Sequence, residues 1–197
     1  ARFESKLKAV RHEIGCEFSE ADPALAVLKE GPEKLFVMSY VDDLIIIASG
    51  EGIRGRFFEK LRKVFETTDL EPLTWCLGIR IQQNAKTKVT TMDQQLYLED
   101  LLKRFLCPAG TDSARHRTIP CSENIQKLPK LEVGSPEVVE TEAKYRSLVG
   151  CLLWVASTTR PDIAFAVSVL SRFLSCAGAE HYKAAIGVLQ YLMYSKN

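Results

Sequence analysis

The stretch that decides the fold spans residues 36–48 and reads Phe36-Val37-Met38-Ser39-Tyr40-Val41-Asp42-Asp43-Leu44-Ile45-Ile46-Ile47-Ala48. Two apolar runs rich in β-forming residues flank an adjacent pair of aspartates. This pattern predicts a β-hairpin of two buried strands, with Val41, Asp42 and Asp43 in its tight turn. The two carboxylates are then expected together at the tip of the hairpin.

Two carboxylates at a hairpin tip repel each other unless a cation neutralises them. Mg²⁺ prefers hard oxygen ligands and usually takes one or two carboxylates, with water and substrate phosphates as its other ligands. The pair therefore fits phosphoryl transfer assisted by two metal ions. Aspartate is also a common turn residue, and that plainer interpretation stays open for Asp42 and Asp43 on their own. The apolar flanks favour the metal site, because Asn-Gly closes an ordinary hairpin at less cost.

Apolar periodicity predicts the remaining helices and strands. Helices are expected over residues 2–14, 52–66, 94–106, 142–157, 162–175 and 179–194. Strands are expected over residues 24–28, 35–40, 44–48, 75–82 and 88–92. Residues 107–141 hold four prolines and little periodicity, which predicts a long loop or linker. The fold class expected is α+β, with an antiparallel sheet and packed helices followed by an all-helical region.

Composition narrows the class of protein. A chain of 197 residues with 46% hydrophobic content can bury a core. Its apolar runs fall well short of the roughly 20 residues that a membrane span needs, so no membrane helix is expected. The six cysteines are widely spaced and only three histidines accompany them, which favours free thiols in an intracellular compartment over a zinc site. The sequence begins without Met, and we interpret it as a fragment.

Several stretches, taken together, resemble the reverse transcriptase of copia-type (Pseudoviridae-like) LTR retrotransposons. Residues 40–48 resemble the catalytic box of reverse transcriptases. Residues 77–81, reading Leu-Gly-Ile-Arg-Ile, resemble the hairpin that grips the primer terminus, and residues 94–98 resemble the helix start that follows it. Residues 145–154 and 159–163 resemble the C-terminal copia-type segment. These motifs follow one another in the family's order and span nearly the whole chain.

The resemblance implies an incomplete right-hand polymerase. Residues 1–92 correspond to a partial palm with the catalytic YVDD hairpin and a primer-grip-like hairpin. Residues 93–141 correspond to a thumb-like helix and a proline-containing linker, and residues 142–197 to a helical thumb and connection segment. The implied reaction is DNA synthesis from deoxynucleoside triphosphates (dNTPs) on an RNA or DNA template-primer, with Mg²⁺ or Mn²⁺ as cofactor.

The resemblance also assigns roles to individual residues. Asp42 and Asp43 become the catalytic, metal-binding carboxylates. Tyr40 and Val41 are expected against the primer end and the incoming nucleotide. The three residues Leu77, Gly78 and Ile79 are expected to position the primer strand.

The family's third metal-binding aspartate, its fingers and its RNase H portion have no counterpart in this sequence. Asp22, which precedes a proline, is interpreted as a turn residue. These missing portions of the parent polyprotein are the partners that the chain is expected to need, and the isolated chain is not expected to polymerise. Its expected location is the cytoplasm, inside a retrotransposon particle, or the nucleus.

Two other functions stay open on the sequence. The first is a non-catalytic relic or domesticated module that binds nucleic acid or protein. The second is a different metal-dependent phosphotransferase, which requires a third acid, Asp22, Asp69 or Asp93, beside Asp42. Trp154 lies among apolar neighbours and is expected in the core rather than stacked on a base. Arg160 and Asp162 are expected to fix a helix start through capping or a salt bridge.

Overall fold

A computed structural model describes residues 2–70, 72–106 and 117–195 of the chain. It confirms the α+β class and divides the chain into two compact units, Ala1–Leu70 and Glu71–Asn197. This division falls before the predicted domain boundary at residue 92, so the second pair of predicted strands belongs to the same unit as the helices that follow. Residues 107–116, the first part of the linker predicted over residues 107–141, lie outside the described residues.

The first unit is an antiparallel sheet covered by two helices. Its strands lie in the order β1-β2-β3-β4. The elements are α1 (Arg2–Ile14), β1 (Glu17–Phe18), β2 (Leu25–Glu30), β3 (Glu33–Tyr40), β4 (Asp43–Ala48) and α2 (Glu51–Arg62). Helix α1 matches its predicted bounds, whereas α2 ends before the predicted residue 66.

Only one face of this sheet is buried, so the prediction that both strands of the hairpin are buried is wrong. Leu35 and Val37 are fully buried against the helices, whereas their neighbours Phe36 and Met38 are 40% and 43% exposed. Successive side chains of a strand point to opposite faces. The core contains residues from α1, the sheet and α2, and its fully enclosed members include Ala26, Ile53 and Phe57.

The second unit combines a small sheet with a helical bundle. Its sheet has the order β5-β6-β7. The elements are β5 (Trp75–Cys76), β6 (Ile79–Asn84), β7 (Val89–Asp93), α3 (Gln95–Phe105), α4 (Pro136–Thr158), α5 (Ala164–Ser171) and α6 (Ala179–Tyr194), with 3₁₀ turns at Glu123–Lys127 and Pro161–Ile163. Helix α6 has the predicted bounds. None of the described helices is both long and apolar enough to cross a membrane.

The strand predicted over residues 75–82 is interrupted. Cys76 pairs with Ile79, so Leu77 and Gly78 form a two-residue turn between β5 and β6. Their φ angles are 51° and 77°, and positive values at both central residues are those of a type I′ hairpin turn. The sequence does not predict this turn, because leucine seldom adopts a positive φ angle.

Two helix predictions also need correction. Helix α4 begins at Pro136 rather than at residue 142. Proline suits the first position of a helix because its missing N–H has no partner there in any case. The helix predicted over residues 162–175 is a 3₁₀ turn followed by a helix that ends at Ser171.

A cluster of hydrogen-bonded polar side chains lies near the end of α6. Arg160 donates hydrogen bonds to both carboxylate oxygens of Asp162, at 2.9 and 2.7 Å, which confirms the predicted salt bridge. Tyr191 donates to the same carboxylate at 2.8 Å, and Arg160 also reaches the hydroxyl of Ser195. The hydrogen bonds from Arg160 lower the pKa of the Asp162 carboxyl group. These bonds connect the start of the 3₁₀ turn at Pro161 to the end of α6.

Candidate active site

The aspartate hairpin, which consists of β3, β4 and the turn between them, places two carboxylates at its tip. Tyr40 pairs with Asp43, so the turn contains only Val41 and Asp42. Asp43 is therefore the first residue of β4. The prediction that Asp43 belongs to the turn is wrong. The register is continuous from Leu35, opposite Ala48, to this last pair.

Val41 is held in a conformation that its side chain disfavours. Its φ angle is 51°, and a β-branched residue in this region is a steric outlier that costs roughly 1–3 kcal/mol. The side chain is 74% exposed, so packing around it does not impose the conformation. The paired strands on either side of the turn impose it instead.

The side chains around the tip face outward. Tyr40, Asp42 and Asp43 are all exposed. Because Tyr40 and Asp43 are direct cross-strand partners, their side chains share one face of the sheet, the exposed one. This face continues along the strands with apolar residues, among them Phe36, Met38 and Ile47. The aspartate hairpin thus offers two carboxylates beside an exposed apolar surface.

The two carboxylates fit a hard divalent cation. Within the described part of the chain they form no hydrogen bond or ion pair, and both residues are exposed to solvent. A pair of carboxylates is the number that Mg²⁺ commonly takes from a protein when water and substrate phosphates complete its coordination. Across residues 2–70, 72–106 and 117–195, no cluster of three metal-ligating side chains is present.

The other aspartates considered for a third ligand have partners of their own. The Asp22 carboxylate accepts the N–H of Ala24 at 2.9 Å, which confirms its role as a turn residue. Asp69 pairs with Arg54 at 2.6 Å. Asp93 pairs with Arg80 and accepts the N–H of Gln95 at 3.2 Å, near the start of α3. Within the described residues, a complete phosphotransferase site is therefore not supported.

The predicted primer-positioning residues lie together at a second turn, in the second unit. Leu77 and Gly78 are exposed turn residues, and Ile79 is the half-buried first residue of β6. None of the described residues of β5, β6 or β7 belongs to either hydrophobic core. This sheet is held by its own ladder, by the Asp93–Arg80 ion pair and by the chain's continuation into α3.

The family described as reverse transcriptase (RNA-dependent DNA polymerase) matches residues 2–121. This match covers more than half of the chain. The chain belongs to the reverse transcriptase family.

Several relatives of this reverse transcriptase chain are transposon proteins. It is 32% identical over 160 residues to the retrovirus-related Pol polyprotein from transposon TNT 1-94 of Nicotiana tabacum, covering 80% of the chain and 12% of that protein. It is 32% identical over 187 residues to the corresponding polyprotein from transposon RE1 of Arabidopsis thaliana, covering 93% of the chain and 12% of that protein. A transposon Ty5-1 protein of Saccharomyces cerevisiae is 32% identical over 168 residues, 85% of the chain and 51% of that protein.

These similarities confirm the resemblance to copia-type reverse transcriptases. The chain spans only 12% of the length of the two plant polyproteins. No solved structure matches the reverse transcriptase chain significantly.

The environment of Trp154 differs from its prediction, and Arg11 is a buried residue for which the sequence analysis made no prediction. Trp154, predicted in the core, is 40% exposed on α4, so its ring is available for stacking. Arg11 was overlooked, although it is 2% exposed. Its position four residues after Leu7 on α1 is the available signal, because residues at this spacing share one face of a helix.

Proposed function

We propose that this chain is part of the RNA-directed DNA polymerase of a copia-type retrotransposon polyprotein and supplies two of its catalytic carboxylates. The observation that carries the proposal is the exposed pair Asp42 and Asp43, held at a two-residue turn between strands anchored in a core. The other functions considered do not explain why a hairpin keeps two adjacent charges at a strained turn.

The residues at the tip divide the work. Asp42 and Asp43 would hold the divalent cations. When bound, Mg²⁺ or Mn²⁺ would supply positive charge against the transferred phosphoryl group and would favour deprotonation of the primer hydroxyl. Tyr40, which shares the exposed face with Asp43, lies against the primer end, and Val41 lies against the incoming dNTP. Exposed apolar side chains beside the carboxylates suit contact with a base or sugar.

The turn at Leu77, Gly78 and Ile79 positions the primer strand in this proposal. An exposed turn with no side chain at Gly78 allows a nucleic-acid backbone to approach closely. The template-primer and dNTP are the substrates, and the fingers, remaining palm and RNase H portions of the parent polyprotein are the partners. The site of action is intracellular, in a cytoplasmic retrotransposon particle or the nucleus.

Among the described residues, no third metal-ligating side chain lies beside Asp42 and Asp43, and we expect the isolated chain not to extend a primer. The test is primer extension on poly(rA)/oligo(dT) with Mg²⁺ or Mn²⁺. The chain alone is compared with the chain extended upstream in its parent reading frame. The extended form is also made with Asp42→Asn and with Asp100→Asn, a control on the exposed face of α3.

We expect activity in the extended form and in its Asp100→Asn variant. The Asp42→Asn variant should lose about 10³-fold or more, since one carboxylate that binds the metal is gone. Full activity of the Asp42→Asn variant would overturn the proposal. Failure of the extended form to polymerise would favour a relic that binds nucleic acid or protein. Activity of the chain alone would show that the chain completes the metal site by itself.

A further inference from the structure

Arg11 is a buried cation in the core beneath the aspartate hairpin. It lies in the last turn of α1 and is 2% exposed. Arginine is almost never fully buried unless it is paired. Across the parts of the chain that the structure describes, no carboxylate lies within salt-bridge distance of Arg11. Its burial therefore requires an explanation other than an ion pair.

The guanidinium group bonds to the residue that precedes β2 and to a residue of β3. Its Nη1 atom donates to the carbonyl oxygen of Ala24 at 3.2 Å and to the hydroxyl of Ser39 at 3.3 Å. The same carbonyl accepts the N–H and the hydroxyl of Ser39, at 3.1 and 3.3 Å. The guanidinium lies 4.9 Å from the ring centre of Phe18. Its Nε atom is buried without a hydrogen-bond partner.

This arrangement is costly for stability. Burial lowers the pKa of the Arg11 guanidinium, and Cys16 and Glu4 offset this only in part. A desolvated charge that lacks a close counter-ion costs several kcal/mol, and an apolar residue of similar volume often replaces such a group without loss of stability. Stability alone therefore does not account for an arginine at this position.

The position of Ser39 supplies a reason. Ser39 precedes Tyr40 and pairs with Leu44, the residue after Asp43. The bond from Arg11 thus reaches the last core-facing residue of β3 before the turn. We infer that Arg11 is a positioning residue that fixes the end of the aspartate hairpin next to its turn and so the direction of its two carboxylates. The inference rests on the proposed polymerase function.

The strained turn explains why the aspartate hairpin needs support from its buried side. Val41 is strained at the tip, and relaxation of the turn would redirect Asp42. Misplacement of a reacting group by about 1 Å can lower a rate by about 10²-fold. A fixed hydrogen-bond donor under Ser39 opposes this relaxation from the buried side, where no substrate interferes.

The test uses the upstream-extended enzyme with Arg11→Met, Arg11→Lys, Ser39→Ala and the double variant Arg11→Met/Ser39→Ala. Lys8→Met is the matched control. Lys8 is an exposed cation on the same helix that also lies over the ring of Phe18, at 5.6 Å, and it has no recorded bond to Ser39. Steady-state kcat and KM for dTTP are measured with the melting temperature of each variant.

We expect Arg11→Met to lower kcat about 10-fold with KM and melting temperature nearly unchanged. Lys8→Met should change none of them, and Arg11→Lys should restore part of kcat. Because Arg11 acts through Ser39, the double variant should lose no more than the larger single loss. A kcat for Arg11→Met within twofold of the parent would overturn the inference, as would fully additive losses or a fall in melting temperature alone.

A second measurement separates this inference from the polymerase proposal. Amide hydrogen exchange over residues 40–44 is measured in the present chain, without catalysis. Arg11→Met should speed exchange there about 10-fold, whereas Lys8→Met should not. If the extended enzyme fails to polymerise but this difference is found, the function is wrong and the positioning stands. Equal exchange in both variants overturns the positioning.

Discussion

Two hairpins of this reverse transcriptase chain share a turn length but differ in support. The aspartate hairpin and the β5–β6 hairpin each have a two-residue turn, and in each the first turn residue, Val41 or Leu77, has a φ of 51°. The strands of the aspartate hairpin bury Leu35 and Val37 in a core. Among described residues, β5 and β6 contribute none to either core.

This difference shows which of the two turns has its geometry fixed by packing within the chain. Strain at Val41 persists because the strands beside it are anchored. A three-stranded sheet that contributes no residue to a hydrophobic core is marginal in water, so we expect the second sheet to be less stable by itself than the first. In our proposal, the carboxylates are positioned before substrate arrives, and the primer-positioning turn becomes ordered with the primer.

The largest expected difference comes from removing one aliphatic side chain in each sheet. Leu35→Ala should lower the free energy of unfolding of its unit by about 3 kcal/mol, because a fully buried leucine leaves a cavity. The matched variant Ile81→Ala, in β6, should cost less than about 1 kcal/mol, because this side chain is only half-buried. Urea denaturation followed by far-ultraviolet circular dichroism measures both. Equal losses would break the comparison.

A smaller effect is expected in the helical core of the second unit, where acid should lower the free energy of unfolding. His181 is 1% exposed, accepts the N–H of Gly178 at Nδ1, and lies against the ring of Phe173. Burial lowers its pKa below the ordinary value of 6.5. As pH falls below 6.5, the unfolded chain takes up a proton that the folded chain does not. The free energy of unfolding then falls by up to about 1.4 kcal/mol per pH unit, until the lowered pKa is reached.

The check is urea denaturation at about pH 7.5 and pH 5.5, followed by tryptophan fluorescence. Both tryptophans, Trp75 and Trp154, lie in the second unit, so the signal reports that unit. In the variant His181→Asn, whose amide can still accept the N–H of Gly178, the loss on acidification should be smaller. An identical loss in both proteins would show that carboxylates, rather than His181, cause it.

The smallest expected effect comes from relieving strain at each turn. Val41→Gly should raise the free energy of unfolding by about 0.5–1 kcal/mol, since glycine adopts a positive φ without steric cost. Leu77→Gly removes the same strain, but should gain less than about 0.3 kcal/mol, because the second sheet adds little to cooperative unfolding. Thermal unfolding of both variants measures the difference. A larger gain for Leu77→Gly would mean that the second sheet is the better anchored one.

The sequence predicted best where one periodicity holds without interruption. Helix α1 has its predicted bounds because apolar residues recur at helical spacing and Gly15 marks its end. Helix α6 also has its predicted bounds. The strands of the aspartate hairpin were located, but their continuous apolar run concealed the exposed face of Phe36 and Met38. Apolar letters on both faces do not reveal which face a helix covers, since this depends on tertiary contacts.

Conformations that a residue type disfavours were the hardest to predict. Leucine at position 77 does not by its residue type indicate a turn. Pro136, at the start of α4, falls within the predicted loop, although proline also suits the first position of a helix. For the site, adjacent Asp42 and Asp43 were found from their spacing and context. Arg11 was missed because its contacts join residues distant in sequence.

Hydrogen exchange of the isolated chain tests most directly whether the aspartate hairpin is preformed and the second sheet is not. The amides are followed at neutral pH, without metal or nucleic acid. We predict that paired amides within residues 35–48 exchange at least about 100-fold more slowly than those within residues 79–93. Equal protection in the two segments, or faster exchange in the aspartate hairpin, would contradict the account.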